Sequence, residues 1–356
     1  MKSESSPNLL LEALTWAGRR AAGRSWAEMQ RRISLRGALA GRSLCDAVAQ
    51  LNALDAALAP AAPGDAALQA FFGNLEGFGY NTIGSASPAF LLLFPFLEHS
   101  HGDPNALRER LREQTPETFA GAIAGVLEES SSAPGPLSAD AFLRRVLALP
   151  VPDASRVALL QLWQDAPTRS LQALDLLLPV LDRLQRHADR LQALCAPYVN
   201  ACAALPESAF FDQLSHLRPA ENTEYLLHPF VFGADTNLIS TLRPGQVCIY
   251  GGILRRELMQ LVNDRADTQD QVCEFYRLLG DSTRFDILCY LRRRSSYVQE
   301  LSQHFGLSRN TIHHHMNKLM DSGLVHCTVE GNRSLYTLDQ AAVQAFVQLQ
   351  TDLFCL

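Results

Sequence analysis

The sequence predicts a mainly α-helical protein built from a large helical N-terminal domain with a small β element and a smaller C-terminal domain in which helices are followed by a β-hairpin. Three observations carry this. Apolar residues recur at helical spacing through most of the first 204 residues. Strand-like runs occur only at Glu224–Phe232, at Val247–Tyr250 and again near the C-terminus. A polar run, NDRADTQD (263–270), separates the two parts, so the domains are expected at 1–262 and 263–356, with the small β element near 224–250.

Within the first part, residues 8–58 read as helices, with Leu9, Leu10 and Leu14, then Leu44, Val48, Leu51 and Leu54, at helical spacing. APAAPGD (59–65) is a loop, a helix follows to about Leu75, and GFGYNTIG (77–84) is a glycine-rich turn. The apolar run AFLLLFPFL (89–97) is far shorter than a membrane span and contains Pro95. After the polar break HSHGDPN (99–105), residues 106–128 read as helix, and SSSAPGPLS (130–138) as a loop. Residues 139–204 are helical again, with an amphipathic stretch over Leu171, Leu174, Leu178, Leu181 and Leu184 that Pro179 is expected to kink. A turn-rich segment ending in Arg243-Pro244-Gly245 separates the two strand-like runs, and 252–262 read as helix.

The net charge of −6 excludes a generally basic nucleic-acid coat but leaves room for a local positive surface. Eight scattered cysteines form no C-x-x-C pair, the N-terminus has no signal-peptide pattern, and the expectation is a cytoplasmic protein with reduced thiols and no membrane segment.

The strongest signal lies at 296–338. Leu301 and Phe305 share one helix face, Gly306 supplies a tight turn, Leu307 plugs the corner, and Ser308 is an N-cap. A second helix runs from Arg309 to Ser322 with Ile312, Met316 and Leu319 facing inward. Asn310, His313, His314, Asn317 and Asp321 then face outward, the short hydrogen-bonding side chains that base-edge readout in a major groove requires. Gly323 ends the helix. Strands at Leu324–Val329 and Ser334–Leu338, joined through Glu330-Gly331-Asn332-Arg333, make a wing. The arrangement is a winged helix-turn-helix. Ser308, Arg309, Asn310, Thr311, His313, His314, Asn317, Lys318 and Arg333 are the candidate contacts to double-stranded DNA, with Arg309, Lys318 and Arg333 placed for phosphates.

These residues resemble the ArsR family of winged-helix regulators. LLGDSTRFDILCYL (278–291), LSRNTIHHHMNKLMDSGLV (307–325) and EGNRSLYTL (330–338) match its Asp-x-x-Arg helix, recognition segment and wing, and the resemblance spans about 268–353. It implies a homodimer through the first and last helices of the domain, about 268–279 and 339–353, with Val343, Phe346, Val347, Leu349 and Leu353 as the apolar surface, acting on a palindromic operator, by default as a repressor. Metal-sensing members carry Cys-x-Cys before the turn; here that stretch is Tyr297-Val298-Gln299-Glu300, and Asp339 and Asp352 on the last helix occur without a histidine there. No metal ligand set is therefore assigned.

Blander alternatives stand beside these readings. The domain over 267–356 carries eight Lys and Arg against ten Asp and Glu, which keeps open a winged helix that binds protein instead of DNA. His313-His314-His315 cannot all ligate one ion, because consecutive helical residues point about 100° apart; His315 is expected at the flank. Arg292-Arg293-Arg294 either contacts the DNA backbone or complements a helix end. His99-x-His101-x-Asp103 reads as a loop rather than a metal cluster, Gly77-x-Gly79 as a turn rather than a nucleotide site, and Cys195 and Cys202 as buried thiols rather than a redox pair. No nucleophile–base constellation is legible, so no catalytic residue, enzyme activity or cofactor is assigned. The first 262 residues are expected to sense a small-molecule effector, with Phe71, Phe72, Phe78, Tyr80 and the 89–97 run as pocket lining or as plain core. The alternative is a protein-interaction or oligomerisation scaffold.

Overall fold

The computed structural model of the chain describes residues 2–34, 42–78, 86–97, 102–128, 135–206, 209–211, 217–219, 223–243, 245–258, 268–330 and 333–354. The fold is mainly α. The chain divides into two compact units, one of Met1–Ala203 with Tyr225–Arg255, the other of Ala204–Glu224 with Arg256–Leu356.

The first unit begins with a short strand β1 (Lys2–Ser3), followed by helices α1 (Leu9–Ala21), α2 (Trp26–Ser34), α3 (Arg42–Leu58), α4 (Asp65–Phe72), α5 (Pro88–Leu97), α6 (Pro104–Arg112), α7 (Pro116–Glu128), α8 (Ala139–Leu147), α9 (Asp153–Gln164), α10 (Ala166–Arg186) and α11 (Ala188–Ala203). α10 is the central strut and packs against α1, α5 and α6. Leu174, Leu177, Leu181 and Leu184 recur at three and four residues and are all buried, while Pro179 lies off this stripe in a helix that continues through it. α5 is the 89–97 run: apolar all round, it is a buried core helix, with Phe90–Leu93, Phe96 and Leu97 almost without solvent contact. Phe72 and Phe78 are likewise buried, and Phe71 half-buried.

The helical stretch expected over 106–128 consists of two helices. Pro116 opens α7, the residue before a proline is pushed out of the helical region, and Thr115 and Thr118 exchange reciprocal hydrogen bonds across the break, Thr118 N–H donating to Thr115 Oγ1 at 3.3 Å. The helical pattern expected over 139–204 is divided among α8 to α11, with breaks before Asp153, at Asp165 and at His187.

The small β element is a four-stranded sheet in the order β1-β3-β5-β4, with β3 at Glu224–Phe230, β4 at Asn237–Arg243 and β5 at Gln246–Gly252. β4 lies in the segment expected to be turn-rich. Its NLISTLR sequence alternates weakly, and antiparallel pairing with β5, Ile239 opposite Ile249, decides its conformation. α1 holds the corner that follows β3 at two points. Glu12, fully buried, accepts the N–H groups of Val231 and Phe232, both at 2.7 Å; Arg19 pairs with Asp235 at 3.1 Å and stacks 4.1 Å over the Trp26 ring. Burial pushes the Glu12 carboxyl up to about 8 against those two lowering hydrogen bonds.

The second unit contains β2 (Leu217–Arg218), α12 (Thr268–Leu279), α13 (Ser282–Leu291), β6 (Ser296–Tyr297), α14 (Val298–Phe305), α15 (Arg309–Asp321), β7 (Val325–Glu330), β8 (Arg333–Leu338) and α16 (Gln340–Phe354). Its sheet runs β2-β7-β8-β6; β7 and β8 form an antiparallel hairpin from Val325↔Leu338 to Glu330↔Arg333, and β2 lies parallel on the outer edge of β7. β2 is too short for any pattern to announce it. Among the described residues no helix is long and apolar enough to cross a membrane.

Candidate nucleic-acid interface

The interface is built on a joint between α12 and α13. Asp281 caps α13 by accepting Arg284 N–H at 3.0 Å, and the buried Arg284 guanidinium folds back onto the last carbonyls of α12, Leu278 at 2.5 Å and Arg277 at 3.2 Å. The bond from Arg284 N–H holds Asp281 below the usual carboxylate range. His315 Nδ1 lies 3.8 Å from Asp281, and burial lowers the His315 imidazole below its ordinary value.

α14 starts with Glu300 reaching back to accept Tyr297 N–H at 3.2 Å and ends at Gly306, whose φ of +64° places it in the left-handed region. Ser302 donates its hydroxyl to Leu307 O at 2.6 Å, closing the corner. Ser308 caps α15 through Thr311 N–H at 3.0 Å, and the two hydroxyls also meet at 2.8 Å. Ser308 and Thr311 are thus half-buried and engaged in each other, which sets the direction in which α15 leaves the turn.

On α15, Ile312, Met316 and Leu319 are fully buried, His314, Lys318 and Asp321 are exposed, and Arg309 and Asn317 are intermediate. His313 departs from the expected outward face: it is buried, with Nδ1 3.4 Å from the phenolic oxygen of Tyr336 on β8. The physical reason is angular. At about 100° per residue His313 flanks the apolar stripe by about 60° from Met316, and the wing folds over that flank. His314 stands on the far side, and partial desolvation and the nearby Lys318 lower its imidazole below the ordinary value. The side chains of Asn310 and Arg333, and the wing tip at 331–332, lie outside the described residues.

The wing also anchors the last helix. His326 on β7 pairs through Nε2 with Asp339, whose other oxygen accepts Ala342 N–H at 2.9 Å at the start of α16. Elsewhere on α16, Phe346 stacks on Phe275 of α12 with ring centres 3.3 Å apart.

Of the remaining candidates, His99, His101, Tyr80 and Gly79 lie outside the described residues. Asp103 caps α6 by accepting Asn105 N–H at 2.9 Å. Gly77 sits at φ +83° where a Cβ would meet Pro152 Cδ at 2.5 Å. Cys195 and Cys202 are buried on α11, burial raising the Cys195 thiol. Among the described residues no group of three or more His, Cys, Asp or Glu is placed to hold a metal ion.

The comparisons with known proteins fall on this unit. The sequence model of the arsR family of bacterial regulatory proteins matches residues 281–326. The chain is 35% identical over 72 residues to the arsenical resistance operon repressor of Staphylococcus aureus, covering 20% of this chain and 69% of that one. It is 32% identical over 79 residues to the transcriptional activator HlyU of Vibrio cholerae, covering 22% and 73%. It is 29% identical over 80 residues to a probable mercury resistance operon repressor of Streptomyces lividans, covering 22% and 64%. No solved structure matches.

Proposed function

Because the chain belongs, through its C-terminal unit, to the bacterial arsR regulatory family, we propose that it is a sequence-specific DNA-binding transcriptional regulator, acting as a homodimer on a palindromic operator. The observation that carries this reading is the outer face of α15. A capped helix projects from a tight turn beside a wing and leaves His314 and Lys318 exposed, with Arg309 and Asn317 half-exposed, while its apolar side is fully used by the core. Ser308, Arg309, Asn310, Thr311, His314, Asn317, Lys318 and Arg333 are the proposed contacts, Ser308 and Thr311 through the helix end they set. His313 supports the face from behind.

The dimer reading is supported by α12 and α16, which pack together through Phe275 and Phe346 yet leave Tyr276 and Val347 about half exposed, at 50% and 54%. Repression is the direction printed for two of the three relatives above and is the direction proposed here. Residues 1–262 are read as the effector-sensing part and the cytoplasm, where the chromosome is accessible, as the site of action. Binding of arsenic or mercury is not carried over from the relatives' names.

Selection of bound sequences from random duplex DNA with the full-length protein tests the main reading. Enrichment of an inverted repeat supports it; no enrichment of any sequence at low salt overturns it. A second reading, a scaffold without ligand control, is separated by thermal-shift measurement of the full chain against metabolites and metals: stabilisation by one compound favours the sensor.

A further inference from the structure

The run Arg292-Arg293-Arg294 follows α13 and is exposed at every residue. Arg294 is nevertheless held in place. Its guanidinium lies 5.0 Å over the Tyr290 ring, and its Nε donates to the Tyr290 hydroxyl at 3.0 Å. Tyr290 in turn packs 4.4 Å from the His304 ring and 5.8 Å from Phe305, the last two residues of α14. The stack therefore reaches the turn end of the helix-turn-helix, three residues before the Ser308 cap of α15. On the sheet side, the run enters β6 at Ser296↔Tyr336, three positions along β8 from the Glu330↔Arg333 pair at the wing tip.

Complementing the α13 dipole accounts for positive charge at the cap, Arg292, but not for the Tyr290 contact that fixes Arg294. Three adjacent guanidinium groups repel one another unless an anion lies against them. The Glu300 carboxylate near Arg294 is itself engaged, accepting Tyr297 N–H. These three arginines are also a large share of the eight Lys and Arg over 267–356, where ten acidic residues oppose them, and Arg284 is engaged internally on carbonyls.

We propose that Arg292, Arg293 and Arg294, with Arg294 set in place by Tyr290, form a second contact to the DNA phosphate backbone, outside the reading helix and the wing. The inference rests on the DNA-binding reading above and adds to it a footprint beyond the base-reading face. An acidic protein partner is the competing occupant. DNA is favoured because the aromatic stack that holds Arg294 ends on His304 and Phe305, next to the turn from which the reading helix starts.

The test is the salt dependence of binding of the full-length protein to its selected duplex. Removing one interaction with a phosphate lowers the slope of log affinity against log salt by about 0.9. Changing all three arginines to Ala is expected to lower the slope by about two to three and to weaken selected and random duplexes by the same factor, leaving sequence preference intact. Changing all three to Lys is expected to retain most of the slope, which separates loss of charge from damage to the fold. Tyr290→Phe, which removes the hydroxyl and keeps the ring, is expected to weaken both duplexes alike by a few-fold. A selected sequence whose affinity and slope are the same for the Ala variant overturns this proposal alone. Failure to select any sequence overturns the DNA-binding reading itself.

Discussion

The phenolic oxygen of Tyr336 on the second wing strand lies 3.4 Å from Nδ1 of His313 on the reading helix, and both side chains are buried. This contact ties the wing to α15 from behind the reading face. Tyr336→Phe removes the hydroxyl and keeps the ring, and is expected to destabilise the second unit by about 1 kcal/mol. Urea denaturation followed at that unit checks it; a midpoint unmoved from wild type counts against the contact.

His314 is the exposed histidine of the face, and its imidazole is held below the ordinary 6.5. It is therefore neutral at pH 7 and gains charge only as the pH falls below the usual histidine range, where attraction to phosphate rises. Operator affinity should increase on acidification from about pH 8 to about pH 5, and His314→Gln should remove that part of the rise. The same variant at His313 should act through stability instead. An identical pH slope in His314→Gln and wild type would refute the assignment.

Glu12 carries a carboxyl at about 8 in the folded chain against an ordinary 4.5. Between those values the folded state holds a proton that the unfolded state has released. Its contribution is thus fully present below about pH 4.5 and lost as the pH rises through about 8. Stability of the first unit should decline across that window, and Glu12→Gln should flatten the decline while losing one of the two backbone hydrogen bonds. Thermal melts from acid to mildly alkaline pH measure both effects.

Tyr276 and Val347 leave an apolar surface beside the Phe275–Phe346 stack. Placing Asp at both positions should shift the full-length protein toward monomer in sedimentation experiments and weaken binding to an inverted repeat far more than to a half-site. A dimer undisturbed by both changes would move the two-fold axis elsewhere.

Gly306 offers a clean backbone test. A Cβ there meets nothing within 4 Å, so the cost of Gly306→Ala comes only from the left-handed φ of +64°. About 1 kcal/mol is expected in chemical denaturation, with no change in which DNA sequence is preferred.

By itself the sequence determined the features that depend on near neighbours. Gly306 and Ser308, within a few residues of Ile312, fix a turn, a cap and an inward stripe through local backbone sterics and hydrogen bonding. The Asp281-x-x-Arg284 spacing likewise puts a cap and its tether on one helix turn. The family resemblance was legible for the same reason, since its motifs lie within a few dozen residues. Tertiary structure decided what depends on partners far along the chain. His313 left the reading face because Tyr336, 23 residues away, covers the flank of the helix. Glu12 became a buried, proton-holding carboxyl because the corner after β3, 219 residues on, supplies its two N–H donors. β4 and β2 exist because β5 and β7 offer ladder partners to sequences too weak or too short to signal a strand. Arg294 offers no partner to a reader of the sequence beyond a tyrosine four residues back; the α14 end that Tyr290 packs against gives that pair its place at the turn. Local chemistry sets the elements, and the burial of side chains between distant elements sets which of their faces remains for function.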